Sequence, residues 1–143
     1  MDYLTRAKDV INIEIEGLQQ LSKRLSTPFS DAVETILKSL KDHGKIVLTG
    51  VGKNLPIAEK ISATFSSTGA TSVVLNPAQA AHGDLGIIHP GDTLLVLLYS
   101  GASDELFTFL PSVRRGDTHV IGLTGSTTNP LSEFCDVILY FCG

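Results

Sequence analysis

Residues 45–54 read Lys-Ile-Val-Leu-Thr-Gly-Val-Gly-Lys-Asn, and this stretch indicates the fold class. Ile46, Val47 and Leu48 form a short continuous apolar run, which is typical of a strand that is buried on both faces of a parallel sheet. The two glycines that follow favour a tight turn in which the backbone can be approached closely. The stretch therefore predicts a buried strand and a loop at its carboxyl end.

Four similar apolar runs follow along the chain, at residues 72–75, 93–98, 119–123 and 137–141. Helical periodicity over residues 55–67 and 104–115 lies between them. Alternation of strands and helices is typical of right-handed βαβ crossovers. We therefore predict an α/β fold with a five-stranded parallel sheet that is flanked by helices.

Two amphipathic helices are expected before the sheet, at residues 4–25 and 31–42, and the first is expected to pack against something. Thr27 or Ser30 can cap the second helix, which ends before Gly44.

No linker or repeat divides the chain, so we expect one domain over residues 1–143. It has helices in 1–43 and the sheet core in 45–143. The sequence stops directly after the fifth strand, so we expect that another subunit covers this edge or that the natural product is longer.

Composition excludes several classes of protein. The net charge of −4 and the pI near 5.4 provide no basic field for nucleic acid. The N-terminus has no signal-peptide pattern, and the longest apolar run, 94–99, is far shorter than the ~20 residues that a membrane helix needs. Cys135 and Cys142 form neither a disulfide framework nor a zinc site. We expect a cytoplasmic protein without nucleic-acid or membrane partners.

The loop at residues 49–54 holds the first candidate site residues, Gly52, Lys53 and Asn54. Lys53 can offer a positive charge to a phosphate or to a developing oxyanion. The loop is not a Walker A motif, because Val47 stands where that motif has its first glycine and Asn54 replaces the magnesium-binding hydroxyl. It also lacks the third glycine of a dinucleotide fingerprint. A plain tight turn with a solvated lysine is the alternative interpretation.

The loop at residues 99–105 contains Ser100, Gly101 and Ser103 before a predicted helix. Hydroxyls and backbone N–H groups at a helix start form a concavity that suits a phosphate monoester. Simple N-capping by Ser100 or Ser103 is the alternative, and the two roles can coexist.

The loop at residues 80–86 contains His82 and Asp84, which can serve proton transfer or metal ligation. A lone histidine is more often structural. The hydroxyl-rich loop at residues 124–130 is explained by turn chemistry without a ligand.

Taken together, the motifs resemble the sugar isomerase (SIS) domain of the arabinose-5-phosphate isomerase family over almost the whole chain. They are GVGKN at 50–54, STGA at 67–70, NPAQAAHGDLG at 76–86 and YSGASDEL at 99–106. The resemblance implies a flavodoxin-like, doubly wound domain. It also implies the interconversion of ribulose 5-phosphate and arabinose 5-phosphate through an enediolate, at the entry to Kdo synthesis for lipopolysaccharide or capsule. Family members usually form tetramers, so we expect a homo-oligomer, tetramer or dimer, that binds a sugar phosphate and uses no cofactor.

The resemblance also implies roles for individual residues. Lys53 corresponds to the family's conserved lysine near the substrate, and Ser100 and Ser103 to hydroxyls of the phosphate loop. Glu105 corresponds to an acid–base carboxylate, and His82 to the family's metal-sensitive histidine, where any metal would be inhibitory or structural. Gly52, Asn54 and Gly101 complete the expected phosphate site.

The chain differs from the family pattern at several positions. Gly52-Lys53-Asn54-Leu55 replaces GKSG, Leu98 replaces the first serine of the SxSG loop, and Gln79 replaces an acid. The family places another glutamate and a catalytic histidine beyond the fifth strand. Two alternatives therefore stay open: a non-catalytic sugar-phosphate-binding module, and a structural subunit that assembles through its N-terminal helices and an uncovered sheet face. Many members of the family carry CBS domains after the SIS domain. We expect no CBS domain in residues 1–143.

Overall fold

The computed structural model of the chain describes residues 2–80, 82–100 and 102–141. Its five strands form one all-parallel sheet, as the apolar runs predicted. The strands are β1 (Ile46–Gly50), β2 (Ser72–Leu75), β3 (Thr93–Leu97), β4 (His119–Thr124) and β5 (Val137–Tyr140). They lie in the order β2-β1-β3-β4-β5, which is the order of flavodoxin-like, doubly wound sheets. The predicted fold class is confirmed.

Five α-helices connect or precede the strands in the described ranges. They are α1 (Tyr3–Arg24), α2 (Thr27–Lys41), α3 (Asn54–Ser67), α4 (Pro77–Ala80) and α5 (Asp104–Arg115). Two 3-10 helices, Asp84–Ile87 and Pro130–Phe134, lie in the loops before β3 and β5. These two and α4 were not predicted, because segments of four or five residues are too short to show a helical period.

The start of α2 corrects one prediction. The helix begins at Thr27 rather than at residue 31, and its N-cap residue is Ser26, which makes no side-chain capping bond. Neither Thr27 nor Ser30 is the cap. Pro28 lies in the first turn, where its fixed φ and missing N–H are compatible with a helix start.

Helices cover both faces of the sheet. On one face, α2 and α3 pack against Ile46, Leu48, Leu95 and Ile121. On the other, α5 and the short helices pack against Val47, Val96 and Val120, and Phe109 and Leu110 of α5 are almost fully buried. Strand residues therefore alternate between two apolar layers, which explains why the strands read as continuous apolar runs.

Charged groups stabilise the amino edge of the sheet, opposite the ends at which ligands bind in such folds. Lys45 Nζ lies 2.6 Å from Asp92 Oδ2, and the Asp92 carboxylate also accepts the backbone N–H groups of Lys45 and His89. Burial alone would raise the pKa of Asp92, but these hydrogen bonds and the charge of Lys45 hold it below its usual value. Asp92 is 2% exposed and the Lys45 side chain is 16% exposed, so most of this ion pair is shielded from solvent.

The first helix buries little of its surface against the rest of the fold. None of the described residues of α1 is buried, although the helix has 22 residues and an apolar side. The described residues of its own chain therefore cover only a small part of α1, near its last turn. None of the helices in the described ranges is both long enough and apolar enough to cross a bilayer.

Candidate functional site

The candidate site lies at the carboxyl edge of the sheet, between β1 and β3. The chain passes from β1 to β2 on one side and from β3 to β4 on the other, so the two loops diverge at this point. Gly50 pairs with Leu97 in the register of β1 and β3, so both loops start side by side. In open parallel sheets, such a switch point opens a crevice that binds ligands.

Glycines shape the loop between β1 and α3. A Cβ atom added at Gly50 would lie 2.8 Å from Asn54 Cβ, so glycine is needed there for the close approach of α3. Gly52 has φ of 60°, a left-handed conformation that glycine adopts at low cost. The two glycines thus turn the chain sharply and place Lys53 and Asn54 at the start of α3.

Lys53 is the source of positive charge in this loop. Its side chain is exposed, and it makes no ion pair with any residue in the described ranges. The backbone offers less than is usual at a helix start. The N–H groups of Asn54 and Leu55 donate to the carbonyls of Val51 and Gly52, and Pro56 has no N–H. An anion in this loop would therefore depend on the Lys53 ammonium group more than on the helix N-terminus.

The loop between β3 and α5 holds two hydroxyl groups that act within the loop. Ser100 Oγ lies 3.1 Å from the Ala102 carbonyl oxygen and 3.4 Å from the Ala102 nitrogen. Ser103 is the N-cap residue of α5, and its Oγ accepts the Leu106 N–H at 3.5 Å. Of the two capping candidates, Ser103 is therefore the cap and Ser100 is not. Gly101, the third residue predicted for this loop, lies outside the described residues.

Glu105 follows in the first turn of α5 beside Asp104, and both carboxylates are exposed. Their negative charge is favourable near the positive end of the helix dipole. The loop after β3 therefore presents hydroxyls and carboxylates, whereas the loop after β1 presents an ammonium group.

A third group of polar residues follows β2. Asn76 Oδ1 accepts the Ala78 N–H at 3.0 Å and so caps α4. His82 is exposed, and Gly83, with φ of 120°, turns the chain into the 3-10 helix that begins at Asp84. The described residues contain no group of three or more His, Cys, Asp or Glu side chains that could hold a metal ion. The metal-binding role predicted for His82 stays a prediction.

A cavity of about 430 Å³ opens beside this segment. Its polar lining comes from Asn76, Gln79 and Asp84, and Gly83 and Gly86 add backbone. Asn76 was not predicted as a site residue, and Gln79 was noted only as a departure from the family pattern. Their position directly after the end of β2 is the signal that could have identified them. Thr49 Oγ1 donates a 2.8 Å hydrogen bond to the Leu75 carbonyl, which joins this side of the site to the end of β1.

Comparisons with known proteins agree with this architecture. The sequence model of the SIS domain matches residues 39–141. Arabinose 5-phosphate isomerase KdsD of Yersinia pestis is 37% identical over 139 residues, which are 97% of this chain and 42% of that protein. The chain spans about two fifths of the length of the curated relatives it matches.

Solved structures give the same result. A Bacteroides fragilis protein involved in capsule formation superposes with a TM-score of 0.83 at 33% identity, over 95% of this chain and 73% of that one. The Escherichia coli CFT073 protein c3406, solved in complex with arabinose 5-phosphate, superposes with a TM-score of 0.79 at 29% identity, over 99% of this chain and 76% of that one. The sequence model of the SIS domain matches most of the chain, and the solved structures share its fold. This chain therefore belongs to the SIS domain family.

Proposed function

We propose that this chain is a sugar-phosphate isomerase domain that interconverts ribulose 5-phosphate and arabinose 5-phosphate. The observation that carries the proposal is that the loops after β1 and β3 start side by side at the carboxyl edge of the sheet. The first loop carries the ammonium group of Lys53, and the second carries Ser100, Ser103 and Glu105. The arabinose 5-phosphate complex of c3406 and the isomerase names of the curated relatives support the choice of substrate. The product would supply Kdo synthesis for lipopolysaccharide or capsule.

The phosphate would bind between the two loops. Lys53 supplies a charge-assisted hydrogen bond, and the hydroxyls of Ser100 and Ser103 can exchange their bonds within the loop for bonds to phosphate oxygens. Asn54 adds an amide at the start of α3. The sugar chain would then extend toward the cavity after β2, where Asn76, Gln79 and Asp84 can bind its hydroxyl groups.

The isomerisation needs a base, a charge stabiliser and a proton carrier. Glu105 takes a proton from C1 of ribulose 5-phosphate, the C1–H electrons form the C1=C2 bond, and the negative charge moves to O2. The Lys53 ammonium group stabilises this enediolate. His82 carries the proton of O1 to O2, and Glu105 returns its proton to C2, which leaves an aldehyde at C1. Every proton removed is thereby returned, so no cofactor is required.

A second candidate function is sugar-phosphate binding without catalysis. The observation that favours it is the loop sequence Gly52-Lys53-Asn54-Leu55, in which the usual serine hydroxyl is absent and the backbone N–H groups of Asn54 and Leu55 are already bonded. Leu98, which replaces a serine in the family's SxSG loop, is 4% exposed and belongs to the hydrophobic core. Such a site retains the charge of Lys53 but has fewer groups to orient a substrate.

One pair of measurements on the same sample separates these functions. Ribulose 5-phosphate is incubated with the chain and arabinose 5-phosphate is followed by ¹³C NMR, while thermal unfolding is recorded with each sugar phosphate and with unphosphorylated arabinose as the control. Turnover together with a rise in Tm supports the isomerase. A rise in Tm without turnover identifies a binding module, since a ligand that binds only the folded state raises apparent stability. The absence of both turnover and a rise in Tm with either phosphate refutes both functions.

A further inference from the structure

A small cavity opens at the amino edge of the sheet, at the end opposite the candidate site. Its volume is about 130 Å³, and we call it the amino-edge cavity. One wall comes from residues within 85–90, which lead into β3, and the other from residues within 112–118, which join α5 to β4. Leu85 lines this cavity, whereas the adjacent Asp84 lines the cavity after β2. The 3-10 helix that contains both residues therefore separates the amino-edge cavity from the proposed sugar-phosphate site.

Thr118 brings a hydroxyl group without a partner to this cavity. The residue is 8% exposed, and its Oγ1 forms no hydrogen bond with any residue in the described ranges. Gly116 also lines the cavity, and a Cβ atom added there would lie 3.7 Å from Thr118 Oγ1. The oxygen therefore borders the cavity. A hydroxyl group that is shielded from bulk water and has no partner in the fold favours a ligand that offers it a hydrogen bond.

Two further polar groups lie on the same wall as Thr118. Ser112 Oγ accepts a hydrogen bond from Arg115 Nη2 at 3.0 Å, so its own proton remains available to a ligand. The Val113 carbonyl accepts the Gly116 N–H at 3.0 Å and retains a second lone pair. Its oxygen would lie 3.4 Å from a Cβ atom at Gly116, so it borders the same space as the Thr118 hydroxyl group. This wall therefore offers both donors and acceptors to one ligand group.

The charges around the cavity favour an uncharged ligand. Arg115 forms no ion pair in the described ranges and would repel an ammonium group. Lys45 Nζ lies 3.5 Å from His89 Nδ1, but Asp92 balances its charge. The side chain of Asp117 is exposed, and this residue does not line the cavity. A carboxylate, in turn, would lie against carbonyl oxygens of the last turn of α5, which is the negative end of the helix dipole. The site therefore matches a charge of neither sign.

We propose that the amino-edge cavity binds a small uncharged molecule that carries a primary amide or a hydroxyl group on a short apolar body. A cavity of about 150 Å³ holds a benzene ring, so this one has space for about six non-hydrogen atoms. The polar group accepts the Thr118 O–H and donates to the Val113 carbonyl, which an amide or a hydroxyl group can do at the same time. The apolar body lies against Leu85 and Ile88, which are half-buried on the facing wall.

Titration of the ¹⁵N-labelled chain with butyramide, followed by ¹H–¹⁵N NMR, tests the proposal. Butyramide has the expected size, and butyrate and the butylammonium ion have nearly the same shape but carry a charge. We expect butyramide at millimolar concentration to cause saturable shifts of backbone amides in residues 85–89 and 112–118. The loops at residues 49–54 and 99–105 should show no saturable shifts. Both ions should bind at least ~10-fold more weakly, because the site would bury a charge without a partner.

Two variants test the role of the cavity wall. Thr118→Val keeps the shape of the side chain but removes the hydroxyl group, so butyramide should bind roughly 10-fold more weakly. Thr118→Ser keeps the hydroxyl group and is the matched control. Gly116 has φ of −85° and ψ of 169°, which alanine adopts readily, and its neighbours leave space for a methyl group. Gly116→Ala should therefore fold normally, narrow the cavity beside Thr118 and also weaken binding.

Urea unfolding of each variant establishes that it is folded, and Thr118→Val should lose no stability, since the hydroxyl group has no partner in the described ranges. A loss of stability in that variant would overturn the premise that the hydroxyl group is free. The absence of saturable shifts with butyramide would overturn the proposal, and so would unchanged affinity in both Thr118→Val and Gly116→Ala. Equal affinity for butyrate would overturn the uncharged class of ligand. The readout involves no sugar phosphate, so it is independent of the proposed isomerase activity.

Discussion

Thr49 Oγ1 donates a 2.8 Å hydrogen bond to the Leu75 carbonyl oxygen, and this bond fastens the end of β1 to the end of β2 at the edge where the candidate site opens. Thr49 is fully buried, so water cannot donate a hydrogen bond to the Leu75 carbonyl if the Thr49 hydroxyl group is removed. We predict that Thr49→Val, which keeps the shape of the side chain, lowers the free energy of unfolding by about 1–2 kcal/mol. Urea unfolding followed by circular dichroism measures the change. Thr49→Ser keeps the hydroxyl group and is the control; a Thr49→Val variant as stable as the unmodified chain would contradict the prediction.

Much of the fold could be predicted because burial on both faces leaves a clear pattern in the sequence. Ile46 and Leu48 belong to one apolar layer, and Val47 belongs to the other. An apolar run that faces both layers is difficult to place anywhere but in a central strand. The end of α2 near Gly44 was predicted for a similar local reason. Its start was predicted four residues late, because Pro28 in the first turn has the same local signature as a loop residue.

The candidate site was predictable only as a set of loops. Strand ends indicated where Lys53, Ser100 and His82 lie, but not which hydrogen bonds their side chains form. The bonds between Ser100 and Ala102 and the capping bond of Ser103 depend on loop closure in three dimensions. The cavity beside Asn76 and Gln79 is formed by α4 and the following 3-10 helix, which no sequence period indicates. The uncovered α1 helix was also hidden, since its amphipathic pattern is the same whether or not a partner lies in the same chain.

Lys53 carries the positive charge of the proposed phosphate site, so its removal should affect both binding and turnover. We predict that Lys53→Ala reduces the turnover of ribulose 5-phosphate by a factor of at least ~10², because the enediolate loses its charge stabiliser. The rise in Tm on adding arabinose 5-phosphate should shrink in the same variant. Lys60→Ala removes the same charge from an exposed position on α3 and should leave both quantities unchanged. Equal losses in the two variants would indicate a general electrostatic effect rather than a local role.

Glu105 is assigned the proton transfer, which separates catalysis from binding. Glu105→Gln keeps the size and hydrogen-bonding capacity of the side chain but removes the base, so turnover should fall by roughly 10²- to 10⁴-fold. Affinity for arabinose 5-phosphate, measured by calorimetry, should change little. Asp104→Asn alters the neighbouring carboxylate in the same helix turn and controls for the change in charge near the helix start. Turnover retained in Glu105→Gln would remove this residue from the catalytic role.

The ion pair between Lys45 and Asp92 predicts an acid limit to stability. The pKa of Asp92 is lower in the folded chain than its usual value near 3.9, so the folded state favours the charged carboxylate. The resulting stabilisation is fully present above that usual value and is lost as the pH falls through the lower pKa of the folded state. Asp92→Asn should therefore lower the free energy of unfolding by roughly 3 kcal/mol at neutral pH, because Lys45 loses its partner in a mostly buried site. The difference from the unmodified chain should shrink as the pH is lowered from 5 toward ~2.

Urea unfolding at a series of pH values measures this effect, and the ion pair between Arg114 and Asp136 provides a comparison. Arg114 Nη1 lies 2.6 Å from Asp136 Oδ1, the same separation as in the first pair, but the two side chains are 38% and 36% exposed. Solvent screens such a pair, so Arg114→Ala should cost no more than about 1 kcal/mol at neutral pH. If Asp92→Asn and Arg114→Ala lowered the free energy of unfolding by the same small amount, burial would not increase the contribution of the Lys45–Asp92 ion pair to stability. A deficit in Asp92→Asn that stayed constant down to pH 2 would instead exclude the carboxylate charge as its origin.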